Sequence, residues 1–97
     1  MAEYQITYWR ELPSLVVARE GSDGQAVAKS PLPQRFQEAI DEAAMNLGLA
    51  GSDAYLEEWR HGDWEAADGF ANDVAGTVAA RLDAENDDAR LKELMSA

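Results

Sequence analysis

The chain contains no cysteine, three prolines and only eight lysine and arginine residues among its 97 residues. Without cysteine it can form no disulfide, no thiolate nucleophile and no cysteine-ligated zinc or iron–sulfur cluster. It also lacks the long apolar run of a transmembrane helix and the basic, then apolar, start of a signal peptide. We therefore expect a cytoplasmic protein that carries no cofactor.

Acidic residues outnumber basic ones by 19 to 8, which gives a formal net charge of −11. Such a surface repels phosphate backbones and anionic membranes, so neither nucleic acid nor a membrane is an expected partner. The charge has two possible explanations that the sequence leaves open. It can serve solubility, including in a salt-tolerant source, or it can complement a basic surface on a partner protein.

Apolar residues make up 46% of the chain, which is enough to bury a core and excludes a disordered acidic tail. A chain of this length fits a single domain, residues 1–97. Because alanine supplies much of the apolar share, we expect a shallow core.

The first third of the chain predicts a β-hairpin and a third strand. Residues 4–10 alternate in side and are rich in β-branched and aromatic types, which is typical of a strand. "ELPS" at 11–14 is expected to interrupt the extended chain, and a second strand follows at 15–20. "GSDG" at 21–24 predicts a turn, and a short strand is expected at 26–28.

A helical pattern begins after Pro33. Pro33 suits a first turn, and Gly48 can close the helix in a left-handed conformation. The pattern forms one continuous apolar stripe, which consists of Phe36, Ala39, Ile40, Ala43, Ala44 and Leu47.

"AYLEEWR" at 54–60 predicts another strand, with Tyr55 and Trp59 on one side and Leu56 on the other. Its end or turn is expected at 61–63, where His-Gly-Asp follows.

The last third predicts a helix whose apolar residues are spaced by four, namely Phe70, Val74, Val78 and Leu82. Leu91 lies roughly half a turn out of phase with this stripe, at about 100° per residue. We therefore expect a break near "ENDD" at 85–88 and a short final helix that is capped by Asp87 or Asp88.

These elements predict an α+β fold. A mainly antiparallel sheet of three to four strands carries two main helices on one face, with a short C-terminal helix beside them.

The single histidine, His61, lies near Asp53, Glu57 and Asp63, so a metal site has to be considered. On a strand, the Cα atoms of Asp53, Glu57 and His61 would be about 13 Å apart at roughly 3.3 Å per residue, too far to share one ion; on a helix they would lie closer. Neighbouring Glu57 and Glu58 face opposite sides of a strand and cannot form a carboxylate pair. The chain also has no serine in a nucleophile-elbow context. The sequence therefore predicts a solvated histidine, no metal ligand and no catalytic residue.

Aromatic residues are the stronger functional indication. Trp9, Tyr55, Trp59 and Trp64 are expected on neighbouring strands, where they can either fill the core or form a contact surface with two arginines. An exposed sheet edge offers a second way to recruit a partner. We therefore predict a non-enzymatic interaction or adaptor module that acts as a monomer or homodimer. Its expected contact residues for an unknown protein partner are Trp9, Arg10, Tyr55, Trp59, Arg60 and Trp64.

Three segments resemble the small bacterial "virulence factor" domain family: "ITYWRELPSLVVA" at 6–18, "RFQEAIDEAAMNLGLAGSDAYLEEW" at 35–59 and "DDARLKEL" at 87–94. The resemblance spans nearly the whole chain, and it implies no defined activity and no catalytic residues. Longer relatives join this domain to HEAT-like repeats and to a module similar to iron–sulfur scaffold proteins, which implies an adaptor or assembly role. Since this chain has no cysteine, any part in iron–sulfur chemistry would be indirect.

Stand-alone relatives are encoded near one-carbon and methyl-transfer enzymes. This association gives an alternative function, a small metal- or ligand-binding accessory protein linked to that metabolism. Its candidate ligands, chosen by residue type and not by the resemblance, would be Glu57, His61 and Asp63.

Overall fold

The computed structural model describes residues 2–21, 26–49 and 51–95. Its elements confirm the predicted α+β class. They are β1 (Ala2–Trp9), β2 (Leu12–Glu20), β3 (Ala26–Pro31), α1 (Gln34–Asn46), α2 (Asp53–Glu57), β4 (Trp59–His61), β5 (Glu65–Ala67), α3 (Ala71–Glu85) and α4 (Asp88–Met95). No helix in these residues is both long and apolar enough to cross a membrane.

Five strands of the described chain form one antiparallel sheet, one strand more than the upper end of the prediction. The order is β3, β2, β1 and β4, and β5 also pairs with β1. Because β2 covers one edge of β1 along its length, β4 and β5 share the other edge.

β1 and β2 form the predicted hairpin, but its turn is tighter than expected, since only residues 10–11 separate the paired strands. The predicted interruption at 11–14 is therefore wrong, because Pro13 lies inside β2 and is buried. The register shifts at this point and leaves Ser14 as the extra residue. A bulge of this kind accommodates a proline, which cannot donate a ladder hydrogen bond.

β3 is longer than the three residues predicted for it and pairs with β2. Of the turn predicted at 21–24, only Gly21 is described, at a left-handed φ of 79°. Residues 22–24 lie outside the described part of the chain.

The strand predicted at 54–60 is wrong for most of its length. Residues 53–57 form the helix α2, and an extended strand begins only at Trp59. Tyr55 and Trp59 are four residues apart, and a spacing of four places two side chains on the same side of either a strand or a helix. The aromatic spacing could therefore not distinguish the two structures. The segment does end at 61–63, as expected.

α1 carries the predicted stripe except for its last member. Phe36, Ala39, Ile40, Ala43 and Ala44 are buried, whereas Leu47 lies beyond the helix and is 46% exposed.

The end of α1 follows the capping pattern that Gly48 predicted. Gly48 has a φ of 72°, and its N–H donates to the Met45 carbonyl at 3.1 Å. The Leu49 N–H donates to the Ala44 carbonyl at 2.8 Å. These two bonds satisfy carbonyl groups at the helix end that would otherwise lack a partner.

α3 and α4 are separated by the predicted break. Asp87 caps α4, because its side chain accepts the Arg90 N–H at 2.8 Å, and Leu91 is buried. Phe70 corrects the prediction for α3. It precedes the helix and is 73% exposed, while Val74, Val78 and Leu82 are buried together with three alanines.

The core lies between the sheet and the helices. α3 packs across β1, β2 and β3, and α1 packs against β2 and α4. The largest fully buried side chains are Trp9, Phe36, Leu12, Ile40 and Val16, and many of the remaining buried residues are alanines. The core thus depends on a few large side chains.

Candidate functional site

A groove of about 540 Å³ opens where the β1–β2 turn, the end of α2, β4 and α4 meet. We call it the arginine groove, because three of the chain's eight basic residues line it. Its lining residues are Arg10, Glu11, Glu57, Glu58, Arg60, Arg90, Glu93 and Leu94.

Arg10 occupies the tight turn between β1 and β2 with a φ of 54°. A non-glycine residue in this left-handed region costs about 1–2 kcal/mol, so surrounding contacts must hold it. Its N–H donates to the Glu58 carbonyl at 3.0 Å, and its guanidinium Nη1 lies 3.4 Å from Glu58 Oε2. The strained turn is therefore tied to the segment that joins α2 to β4.

Arg60 is oriented by three neighbours. Its Nε donates to the Arg10 carbonyl at 3.0 Å, and its guanidinium carbon lies 4.4 Å from the ring centroid of Tyr8. Its Nη2 lies 3.7 Å from Glu11 Oε2. A cation over an aromatic face is stabilised by the negative face of the ring. Arg60 thus presents its guanidinium to the groove in a defined orientation.

Tyr8 supports this stacking as a neutral phenol. Burial raises the pKa of Tyr8 above its usual value. The positive charge of Arg60 lowers the pKa in part, and the negative charge of Glu65 raises it. The phenol therefore remains protonated at neutral pH beneath the guanidinium.

α4 forms the remaining wall of the groove. Arg90 Nη1 donates to Glu93 Oε2 at 2.9 Å, and Leu94 adds a half-buried apolar surface. The groove's ion pairs are between partly or largely exposed side chains. Exposed ion pairs contribute only about 0–1 kcal/mol each, so breaking these pairs costs little.

Trp9 does not lie on a contact surface, because its side chain is 0% exposed. Its Nε1 donates to the Tyr55 carbonyl at 2.9 Å, and its ring centroid lies 5.5 Å from that of Tyr55. The proposed direct role of Trp9 in partner contact is not compatible with this burial. Instead, Trp9 holds α2 against the end of β1.

Tyr55 and Trp59 are both half-buried. Their rings meet edge to face, with 6.2 Å between the ring centroids. They lie along α2 and β4 next to the arginine groove without lining it. Trp64 does not line the groove; the guanidinium carbon of Arg19 lies 3.9 Å from its ring centroid. Of the six predicted contact residues, only Arg10 and Arg60 line the groove.

The candidate metal ligands are not brought together. Asp53 and Glu57 lie at opposite ends of α2, and His61 is on β4, where its Nδ1 lies 3.2 Å from Thr7 Oγ1. Within residues 2–21, 26–49 and 51–95, no group of three histidine, aspartate or glutamate side chains is placed to hold a metal ion.

The part of the groove that α4 supplies was not predicted from the sequence. Arg90 and Leu94 are four residues apart and so lie on one side of a helix, which was the available signal. Nothing local in the sequence indicated that this side would face Arg10 and Arg60, about 30 to 80 positions earlier in the chain.

A family model described as "Virulence factor" matches residues 7–95, which is most of the chain and includes every residue of the arginine groove. No curated protein and no solved structure matches the chain.

Proposed function

The chain belongs to the Virulence factor family, and on that premise we propose that it is a non-enzymatic interaction module that docks a partner protein in the arginine groove. The observation that carries the proposal is a groove in which three of the chain's eight basic residues, Arg10, Arg60 and Arg90, lie among four glutamates. The cytoplasmic location expected from the sequence is part of this proposal.

Arginine is suited to such a surface because its planar guanidinium binds carboxylates through two parallel hydrogen bonds. It is also enriched among the residues that dominate binding energy. The contacts of Arg60 with Tyr8 and the Arg10 carbonyl reduce the conformational entropy that binding would cost.

The groove favours a partner segment of mixed charge. Its carboxylates would pair with Arg60 and Arg90, its basic groups would face Glu57 and Glu58, and an apolar side chain would cover Leu94. Docking in the groove is favoured over strand addition at the β4–β5 edge, because each of these strands has three residues and residues 62–64 interrupt the edge. Short, broken edges are poor templates for pairing.

A charge reversal at Arg60 tests the proposal. Tagged full-length chain carrying Arg60→Glu should lose its specific partner in a quantitative pull-down from the native host. Lys29→Glu is the matched control, because Lys29 is exposed on β3 and both substitutions change the net charge by the same amount.

Circular dichroism melts should show both variants folded, with Arg60→Glu melting somewhat lower because it alone loses contacts, namely those with Tyr8, Glu11 and the Arg10 carbonyl. A partner that the wild type and Arg60→Glu capture equally would place docking elsewhere. If no captured protein depended on Arg60, the arginine groove would not be the docking surface.

A further inference from the structure

A second groove, of about 370 Å³, lies between the end of α1 and α2. We call it the methionine groove; its lining residues are Asp41, Ala44, Met45, Gly51 and Tyr55. It shares no lining residue with the arginine groove. Met45, which lines this groove, is 67% exposed.

A large apolar side chain that is exposed within a groove, as Met45 is, can bury its surface against an apolar residue of a partner. Methionine is common on surfaces that bind apolar partners, because its unbranched and polarisable side chain adapts to their shape.

Three acidic residues of α1 lie beside the methionine groove, and one of them, Asp41, lines it. Glu38, Asp41 and Glu42 precede Met45 at helical spacings of i, i+3, i+4 and i+7, so all four lie on one exposed stripe of α1. In the described part of the chain, none of the three carboxylates forms an ion pair with a lysine or arginine; Asp41 accepts a hydrogen bond from the Gln37 amide at 2.9 Å.

We propose that the methionine groove binds a basic amphipathic helix of a partner protein. An apolar residue of that helix inserts beside Met45 and Tyr55, and its lysine or arginine residues follow the acidic stripe of α1. Because two packed helices both repeat every 3.6 residues, basic residues at i, i+3 and i+4 can match carboxylates with the same spacing.

Charge selects this occupant over the other candidates. A second copy of the chain would bring the same acidic stripe and a net charge of −11 to the interface. An anionic membrane would be repelled in the same way. A basic helix is attracted by the stripe and buries the exposed methionine.

The probe is a fluorescently labelled synthetic helix of leucine and lysine with an apolar stripe, titrated with the full chain and followed by anisotropy. Met45→Gln should weaken binding by about ten-fold, the effect expected when one large apolar contact is lost. Phe70→Gln is the matched control, because Phe70 is similarly exposed but lies at the start of α3. The Phe70→Gln variant should bind the peptide with the same affinity as the wild type.

A pair of charge variants separates local pairing from general attraction. Glu38→Gln/Glu42→Gln and Glu65→Gln/Asp68→Asn each remove two exposed carboxylates, but only the first pair lies on the stripe. We expect weaker binding and a smaller salt dependence for the first variant alone. Circular dichroism melts establish that every variant is folded.

Three results would each overturn the proposal. A peptide of the same composition without the apolar stripe could bind as tightly, the two charge variants could lose affinity equally, or sedimentation could show a dimer that Met45→Gln dissociates. The first two would show non-specific attraction, and the third would assign the groove to a second copy. None of these results depends on Arg60, so the two docking proposals fail or succeed separately.

Discussion

Tyr8 links the sheet to the arginine groove at the scale of a single residue. It belongs to β1, pairs with Arg60 of β4, and supports the Arg60 guanidinium on its ring. The local sequence predicted the strand but not this stack, because the two residues are 52 positions apart and meet only when β4 docks on β1. The orientation of the groove's central arginine is therefore a property of the tertiary fold.

The raised pKa of Tyr8 gives a testable pH dependence. Because burial raises the folded-state pKa above the unfolded value of about 10, the associated stability is fully present below pH 10 and is lost as pH rises through the folded-state pKa. The ultraviolet absorbance of phenolate, taken as the difference between wild type and Tyr8→Phe, should show Tyr8 ionising above pH 10.

The free energy of unfolding in urea should fall more steeply above pH 10 for the wild type than for Tyr8→Phe. Ionisation of Tyr8 at or below pH 10 would contradict the expected effect of its partial burial on the pKa.

At the scale of elements, long periodic segments were predictable and short ones were not. The apolar stripe of α1 and the phase change before Leu91 extend over several turns. The helical period of about 3.6 residues therefore fits them, and the strand period of about 2 does not. α2 has five residues, and β4 and β5 have three each. Segments this short do not distinguish a helical from a strand period. α2 and β4 supply Glu57 and Arg60 of the arginine groove, so periodicity could not show how these two residues face it.

The start of α3 is stabilised by a contact that no local pattern indicates. Glu20, the last residue of β2, accepts the Ala71 N–H through Oε1 at 2.6 Å, and Phe70 provides no side-chain cap. A carboxylate at a helix N-terminus satisfies an unpaired N–H and interacts favourably with the helix dipole. We expect Glu20→Gln to lower the free energy of unfolding by about 0.5–1 kcal/mol, measured by urea denaturation.

Glu42→Gln makes the same chemical change on the exposed side of α1 and should leave stability unchanged or slightly higher. Equal stabilities for the two variants would mean that the Glu20 cap contributes nothing.

At the scale of the whole molecule, the excess of negative charge opposes folding. The chain extends 41 × 28 × 18 Å, and the screening length is about 30 Å at about 0.01 M salt but about 10 Å at about 0.1 M. At low salt the carboxylates therefore repel one another across most of the molecule. Exposed ion pairs such as Arg60–Glu11 contribute too little to offset this repulsion.

We therefore expect added sodium chloride to stabilise the protein, with Tm rising by roughly 4 °C between these two salt concentrations. Glu38→Gln/Glu42→Gln should raise Tm at low salt and reduce its salt dependence, because it removes two like charges four residues apart on α1. Asp83→Asn is the control of opposite sign, since Asp83 pairs with Arg35 at 2.5 Å and its loss should lower Tm. The Tm of the wild type and of both variants, measured by thermal unfolding across salt concentrations, checks these expectations. A wild-type Tm that falls as salt is added would show that ion pairing outweighs repulsion in this fold.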